Sequence, residues 1–177
     1  MNKLKIKFDK LEDSRITLVS FLNSQSKPAL IFKVDKDKWS PLQVCFHVIK
    51  SEQLTLLALN KSNQSKENLK KSGLAGIIRD VSLRFVLKFK APAMVANIPE
   101  DYDFTELRKK WETIRSSLKE YIDKFPKEYL DKEIFKHPIA GWINLSQTLN
   151  FLQNHFDHHK VQILKRIEEH KTLSNKK

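Results

Sequence analysis

The strongest constraint on the fold is a recurring spacing of three and four residues between apolar side chains. The stretch 103–125 shows it most clearly, with apolar residues at Leu107, Trp111, Ile114, Leu118, Tyr121, Ile122 and Phe125. This spacing places all of them on one side of an α-helix. Pro126 ends the pattern, because a proline inside a helix removes a hydrogen bond and clashes with the preceding turn. The stretch is therefore predicted to be an amphipathic helix that begins near Asp103.

Three other stretches show the same helical pattern, at about 2–24, 41–59 and 144–170. The second opens with Ser40, Pro41 and Gln43, the residue types of an N-cap, a first helical position and a capping box. Asn144 and Gln147 have the corresponding spacing before the last stretch. We therefore predict four long helices with defined starting points.

The intervening segments carry weaker signals. We expect a loop over 26–38 with a short extended piece at 30–34, a turn over 60–67 and an irregular segment over 90–102. A further helix is expected over 68–89, and a connector containing Pro138 and Gly141 over 127–143. Only 3 glycines and 6 prolines occur in the chain, which argues against a fold rich in tight β-turns. The sequence thus predicts an all-α four-helix bundle with long crossover connections.

Length and composition limit the domain count and the environment. The 177 residues suffice for one domain, so 1–177 is predicted to be a single domain with a disordered tail at 171–177. No apolar run approaches 18 residues, the N-terminus is charged, and Cys45 is the single cysteine. These features predict a protein of the reducing cytoplasm without a membrane span.

The net charge of +12 raises the possibility of a nucleic-acid partner. However, arginine contributes only 6 of the 33 basic residues, and arginine is the usual residue for bidentate contacts to bases and phosphates. The lysines are also interleaved with acidic residues. A basic nucleic-acid-binding module is therefore kept only as a third interpretation.

Histidines on the last predicted helix suggest a metal site. His155 and His159 are four residues apart, so they lie one turn apart on the same side of a helix. His159 falls within the apolar stripe formed by Leu145, Leu149, Leu152, Phe156, Ile163 and Ile167. His158 lies about 100° away around the helix, toward the lysine-rich side. The spacing therefore selects His155 and His159 as metal ligands, with two buried, hydrogen-bonded histidines as the alternative.

Three sequence motifs resemble those of the DinB-like superfamily, which includes YfiT-type metal-dependent enzymes. Residues 39–52, WSPLQVCFHVIKSE, are similar to the segment that carries a metal-binding histidine on the second helix of the family. Residues 136–152 are similar to the lead into its last helix, and 154–163, NHFDHHKVQI, to its last-helix histidine motif. The resemblance extends over nearly the whole chain. One departure is His158, where similar sequences often have arginine.

The resemblance implies a four-helix bundle in which His47, His155 and His159 are the three ligands of one divalent metal ion. Three imidazoles leave one coordination position open, which is typical of catalytic sites. Zinc or nickel is expected, with iron or copper as further options for imidazole ligands. The family resemblance also implies a homodimer, and an activity as a hydrolase or as a transferase that uses a low-molecular-weight thiol.

Six other residues could support this site. Gln162, Glu52 and Asp157 are candidates to hydrogen-bond the outer nitrogens of the ligand histidines. Three more could line the pocket: Trp39, Trp142 and His137. For these we favour structural roles, with Trp39 as a packing residue at the helix start, Trp142 in the core and His137 in a turn.

The sequence therefore supports three functions in descending order. The first is a metal-dependent enzyme that activates water or a low-molecular-weight thiol toward a small-molecule substrate. The second is a non-catalytic metal-binding or structural bundle. The third is the nucleic-acid-binding module. No acidic residue beside the histidines stands out as a general base.

Overall fold

The computed structural model describes residues 2–62, 70–71, 102–137 and 141–175. The irregular segment predicted over 90–102 lies outside these residues except for Tyr102, and the helix predicted over 68–89 lies outside them except for 70–71. At 70–71 the chain is not helical, because Lys71 forms an isolated antiparallel bridge with Lys132. The turn predicted over 60–67 is wrong at its start, since a helix continues through position 62.

The described structure contains four long α-helices and one short α-helix. They are α1 (Asn2–Asn23), α2 (Lys27–Ile31), α3 (Pro41–Ser62), α4 (Phe104–Asp123) and α5 (Leu145–Ser174). α5 packs against α1 and α3, and α4 packs against the same two helices. The four long helices thus close a ring, in which α1 and α3 are the two neighbours of α5. The prediction of an all-α four-helix bundle is confirmed.

The predicted apolar stripes form the core of this bundle. The stripe residues of α4 are all buried, and so are those of α5, where Leu145, Leu149 and Ile163 have no solvent exposure. Fully burying an apolar side chain of this size contributes about 1.5–3 kcal/mol to folding. The spacing of these residues in the sequence therefore determines which side of each helix faces inward.

Capping interactions set the starts of the helices that carry the histidines. The Ser40 N–H donates to Oε1 of Gln43 at 3.0 Å, and the Gln43 N–H donates to Oγ of Ser40 at 3.3 Å. Asn144 and Gln147 make the same reciprocal pair, with both bonds at 2.9 Å. These two capping boxes satisfy backbone donors that a helix start leaves unpaired. The predicted starts of α3 and α5 are confirmed.

Two segments predicted to lack helix are helical in part. The start of the extended piece expected at 30–34 is the end of α2, which covers 30–31, because Ser26 caps the segment and Pro28 lies in its first turn, where proline is tolerated. The tail expected to be disordered from 171 is helical through Ser174. No glycine or proline follows His170 to stop the helix, so α5 continues beyond the last core residue.

The connector predicted over 127–143 contains a 3₁₀ turn at Lys127–Tyr129 and a small hairpin. Its strands are β1 (Phe135–His137) and β2 (Gly141–Ile143), paired antiparallel with Phe135 opposite Ile143. Gly141 has a φ of +73°, a conformation that residues with a Cβ rarely adopt. The hairpin leads directly into α5.

The described helices also bear on the membrane prediction. No helix within the described residues is both long enough and apolar enough to cross a bilayer.

Candidate metal centre

Three histidines from two adjacent helices converge inside the bundle. Nε2 of His47, on α3, lies 3.2 Å from Nε2 of His155, on α5. The ring of His159 lies 4.6 Å from that of His47 and 4.4 Å from that of His155, measured between centroids. One ring nitrogen from each residue lies within 4.8 Å of the other two. The structure therefore brings together the three residues that the motifs assigned as ligands.

These separations suit a single metal ion. In a tetrahedral zinc site with bonds of 2.0–2.1 Å, two ligand nitrogens are about 3.3 Å apart. The His47–His155 pair has this spacing, and a ring nitrogen of His159 lies within 4.8 Å of both. Among the described residues, the group contains no carboxylate or thiolate. The donor set is thus three imidazoles.

Burial favours the uncharged form of the two cluster histidines on α5. Loss of solvation, with a smaller contribution from the neighbouring His47, lowers the pKa of His159 to about 4. Loss of solvation, together with His159 and His47, lowers the pKa of His155 well below its ordinary value. A neutral imidazole is the form that binds a metal, so no proton has to be displaced from a charged ring.

The hydrogen-bond partners of Nδ1 in His155 and His159 indicate which ring nitrogen of each residue is available to a metal. Nδ1 of His159 lies 2.9 Å from Oε1 of Gln162, so its other nitrogen, Nε2, is the one left for the cluster. Gln162 thus contacts the ring nitrogen of His159 that points away from the cluster. Nδ1 of His155 is buried without a hydrogen-bond partner among the described residues. If that nitrogen carries a hydrogen, the buried N–H lacks a partner and costs about 1–3 kcal/mol. The free energy gained from the metal bonds would have to exceed this cost.

His158 is outside the cluster, as its position on the helix predicted, but it does not lie on a purely solvated side. Its side chain is part-buried, and its Nε2 lies 3.0 Å from Nε2 of Gln162. The spacing of four residues places His158 and Gln162 on the same side of α5, one turn apart. His158 is therefore linked to His159 through Gln162.

Two aromatic residues and a further histidine surround the cluster. The Trp39 ring lies 5.2 Å from the ring of His47, and the Phe151 ring lies 5.7 Å from that of His155. His137, on β1, is buried with its ring 4.4 Å from that of Phe151. Burial lowers the pKa of His137 to about 4. The hairpin and the start of α3 thus supply an uncharged border to the site.

Three other predicted residues do not have the positions or contacts expected of them. Trp142 is 45% exposed, so its expected place in the core is wrong. Side chains alternate along a strand, and the burial of its neighbour Ile143 turns Trp142 outward. Asp157 is exposed and accepts a hydrogen bond from Nε2 of Gln153 at 3.0 Å. Glu52 is buried in a different polar group.

This second polar group was not predicted. Glu52 accepts hydrogen bonds from Nε of Arg115 at 2.7 Å and from Nε1 of Trp111 at 2.9 Å. Arg115 also lies 3.7 Å from Glu12, which pairs with Arg15. The sequence held one signal, because Arg115 follows Trp111 by four residues and so falls on the buried side of α4.

Comparison with known proteins provides independent information on the chain. A family model described as the DinB superfamily matches residues 10–163, a span that contains all three histidines of the cluster. Searches of curated proteins and of solved structures gave no significant match.

Proposed function

Because this chain belongs to the DinB superfamily, we propose that His47, His155 and His159 hold one divalent metal ion at a catalytic centre for small molecules. The observation that carries the proposal is the convergence of three buried ring nitrogens within 4.8 Å of one another. A bound divalent ion would supply an open position that lowers the pKa of a coordinated water or thiol.

The neutral ligands and the aromatic residues around the cluster both support this chemistry. Three neutral ligands leave the full charge of the ion uncompensated, and this favours an anionic fourth ligand. Trp39 and Phe151 border the histidines with aromatic surface, which lowers the local polarity and strengthens such an interaction. The imidazole set suits zinc or nickel, with iron or copper as the other options.

Metal content is the direct test of the site. The wild type should bind about one equivalent after reconstitution and desalting, whereas His159→Ala should bind little, because one of three ligands is missing. His170→Ala is the matched control, since His170 is also on α5 but packs against Phe32. Equal metal content in all three proteins would refute the metal centre.

The reaction needs a separate experiment. We expect the cobalt-substituted protein to show new charge-transfer bands when titrated with cysteine or glutathione, because a thiolate is a favoured donor for an ion held by neutral ligands. Consumption of a model electrophile in the presence of that thiol would then identify a thiol transferase. If no thiol changes the spectrum, and neither the electrophile nor a model ester reacts faster than in buffer, the non-catalytic metal-binding interpretation replaces the enzyme.

A further inference from the structure

We propose that His158 is a positioning residue for the metal centre, which acts through Gln162 to hold His159 in the tautomer that can bind a metal. The inference rests on the proposed function, because it concerns a ligand of that site. Two contacts carry it: Nε2 of His158 to Nε2 of Gln162 at 3.0 Å, and Oε1 of Gln162 to Nδ1 of His159 at 2.9 Å.

The two ends of the Gln162 amide have different hydrogen-bonding capacities. Its nitrogen only donates and its oxygen only accepts. The amide N–H therefore donates to Nε2 of His158, which must carry a lone pair. Nδ1 of His159 must in turn carry the hydrogen that it donates to the amide oxygen. A neutral imidazole has one N–H, so Nε2 of His159 is left with the lone pair that metal binding requires.

The opposite orientation of the amide would disable the ligand. Its NH₂ group would then face Nδ1 of His159, which would have to accept, and the hydrogen of the ring would move to Nε2. The rotation would also turn the amide oxygen toward Nε2 of His158, so His158 opposes it when that nitrogen carries the lone pair rather than the hydrogen. The Gln162 amide can therefore take two orientations, and His158 favours the one in which the oxygen faces His159.

Sequence geometry makes this arrangement local to one helix. His158 and Gln162 are four residues apart, and His159 and Gln162 are three apart, so both rings reach the same amide across one turn. The three side chains need no other helix for their mutual contacts. They can therefore set the tautomer of His159 in the metal-free protein.

The test compares tautomer and metal affinity in matched variants. In the metal-free wild type at neutral pH, long-range ¹H–¹⁵N spectra should show His159 protonated at Nδ1. His158→Phe keeps an aromatic ring of similar size but removes the acceptor, so it should give a mixture of tautomers. Metal affinity should fall about tenfold, the lower end of the effects seen when outer partners of ligand histidines are removed.

A second substitution separates positioning from a packing effect. Glutamate at position 162 has acceptor oxygens at both ends, so its orientation does not need His158. The double variant His158→Phe/Gln162→Glu should recover the Nδ1–H tautomer and most of the affinity. Gln162→Leu removes the amide altogether and should weaken binding by 10- to 100-fold.

The outcomes distinguish this inference from the proposed function. It is overturned if metal-free wild-type His159 is protonated at Nε2, or if His158→Phe leaves both its tautomer and the affinity unchanged. It is also overturned if the double variant stays as weak as His158→Phe. A wild type that binds no metal would refute the proposed function, whereas the tautomer spectra would still decide how the His158–Gln162–His159 contacts are arranged.

Discussion

Two buried polar groups in the bundle each include a residue of α3, but they differ in how their buried polar atoms are paired. The first is the ion-pair group around Glu52, which is 2% exposed. Its carboxylate accepts from Trp111 and twice from Arg115. With Glu12 and Arg15 added, the group contains two acids and two bases, so its charges cancel within the chain.

The histidine cluster is buried as well, but its members are chemically alike. His47 and His155 can share one hydrogen between their Nε2 atoms, and His159 adds a third ring nitrogen to the same place. Lone pairs that face one another do not satisfy one another. The comparison shows that the charges of the ion-pair group balance without a ligand, although Nη1 of Arg115 is buried without a hydrogen-bond partner among the described residues. The histidine cluster instead has donor atoms suited to a cation from outside.

The largest expected effect lies in the ion-pair group. Arg115→Met leaves the Glu52 carboxylate buried without its main partner, which should lower the free energy of unfolding by about 3–5 kcal/mol. Urea denaturation followed by circular dichroism would measure the loss. The double variant Glu52→Met/Arg115→Met removes both charges and should be clearly more stable than the single one. Equal stabilities would mean that packing, rather than charge pairing, explains the loss.

The histidine cluster should respond to metal instead. The metal should raise the free energy of unfolding of the wild type by about 2.7 kcal/mol at a concentration of 100 Kd, because it binds only the folded state. His47→Phe should abolish this gain yet change metal-free stability by less than about 1.5 kcal/mol, since an aromatic ring of similar size replaces the imidazole. A variant that is destabilised equally with and without metal would indicate a purely structural histidine.

Acid should weaken the metal-free fold at its buried histidines. Burial lowers the pKa of His137 to about 4, compared with 6.5 for an ordinary histidine. The unfolded chain therefore takes up a proton first as the pH falls. The contribution of His137 to the free energy of unfolding is therefore fully present above about pH 6.5 and is lost as the pH drops toward 4. Urea midpoints at several pH values would measure the slope, and His137→Phe should make it shallower. An unchanged slope would show that His137 is not the group responsible.

The smallest effect is expected at Trp142, which belongs to neither polar group. Trp142 is half-exposed and pairs with Lys136 across the hairpin. Trp142→Ala should reduce stability by about 0.2–1 kcal/mol, the usual contribution of a cross-strand pair, and should leave metal content unchanged. Thermal unfolding and metal analysis of this variant would check both values. A loss of metal would show that Trp142 itself contributes to the site.

The contrast between the two groups also marks how far the sequence could predict this structure. Apolar spacing and capping residues predicted the four long helices, and the four-residue spacing predicted that His155 and His159 share one side of α5. No spacing rule joins His47 to them, because the packing of α3 against α5 is a tertiary property. That pairing came from the family resemblance.

The ion-pair group escaped prediction for a related reason. The position of Arg115 on a buried stripe shows that it needs a partner but does not say which helix supplies it. The exposed Trp142 was mispredicted because a three-residue strand gives too short a pattern to reveal which side is covered.

The separation of the ligands along the chain has a kinetic consequence. His155 and His159 are neighbours on one helix, whereas His47 and His155 are separated by 108 residues. An ion bound to all three would act as a reversible cross-link that closes most of the chain into one loop. Closing such a loop costs chain entropy, which grows slowly with its length. Unfolding of the loaded protein would have to open this loop, so its rate would depend on how quickly the ion leaves the histidines.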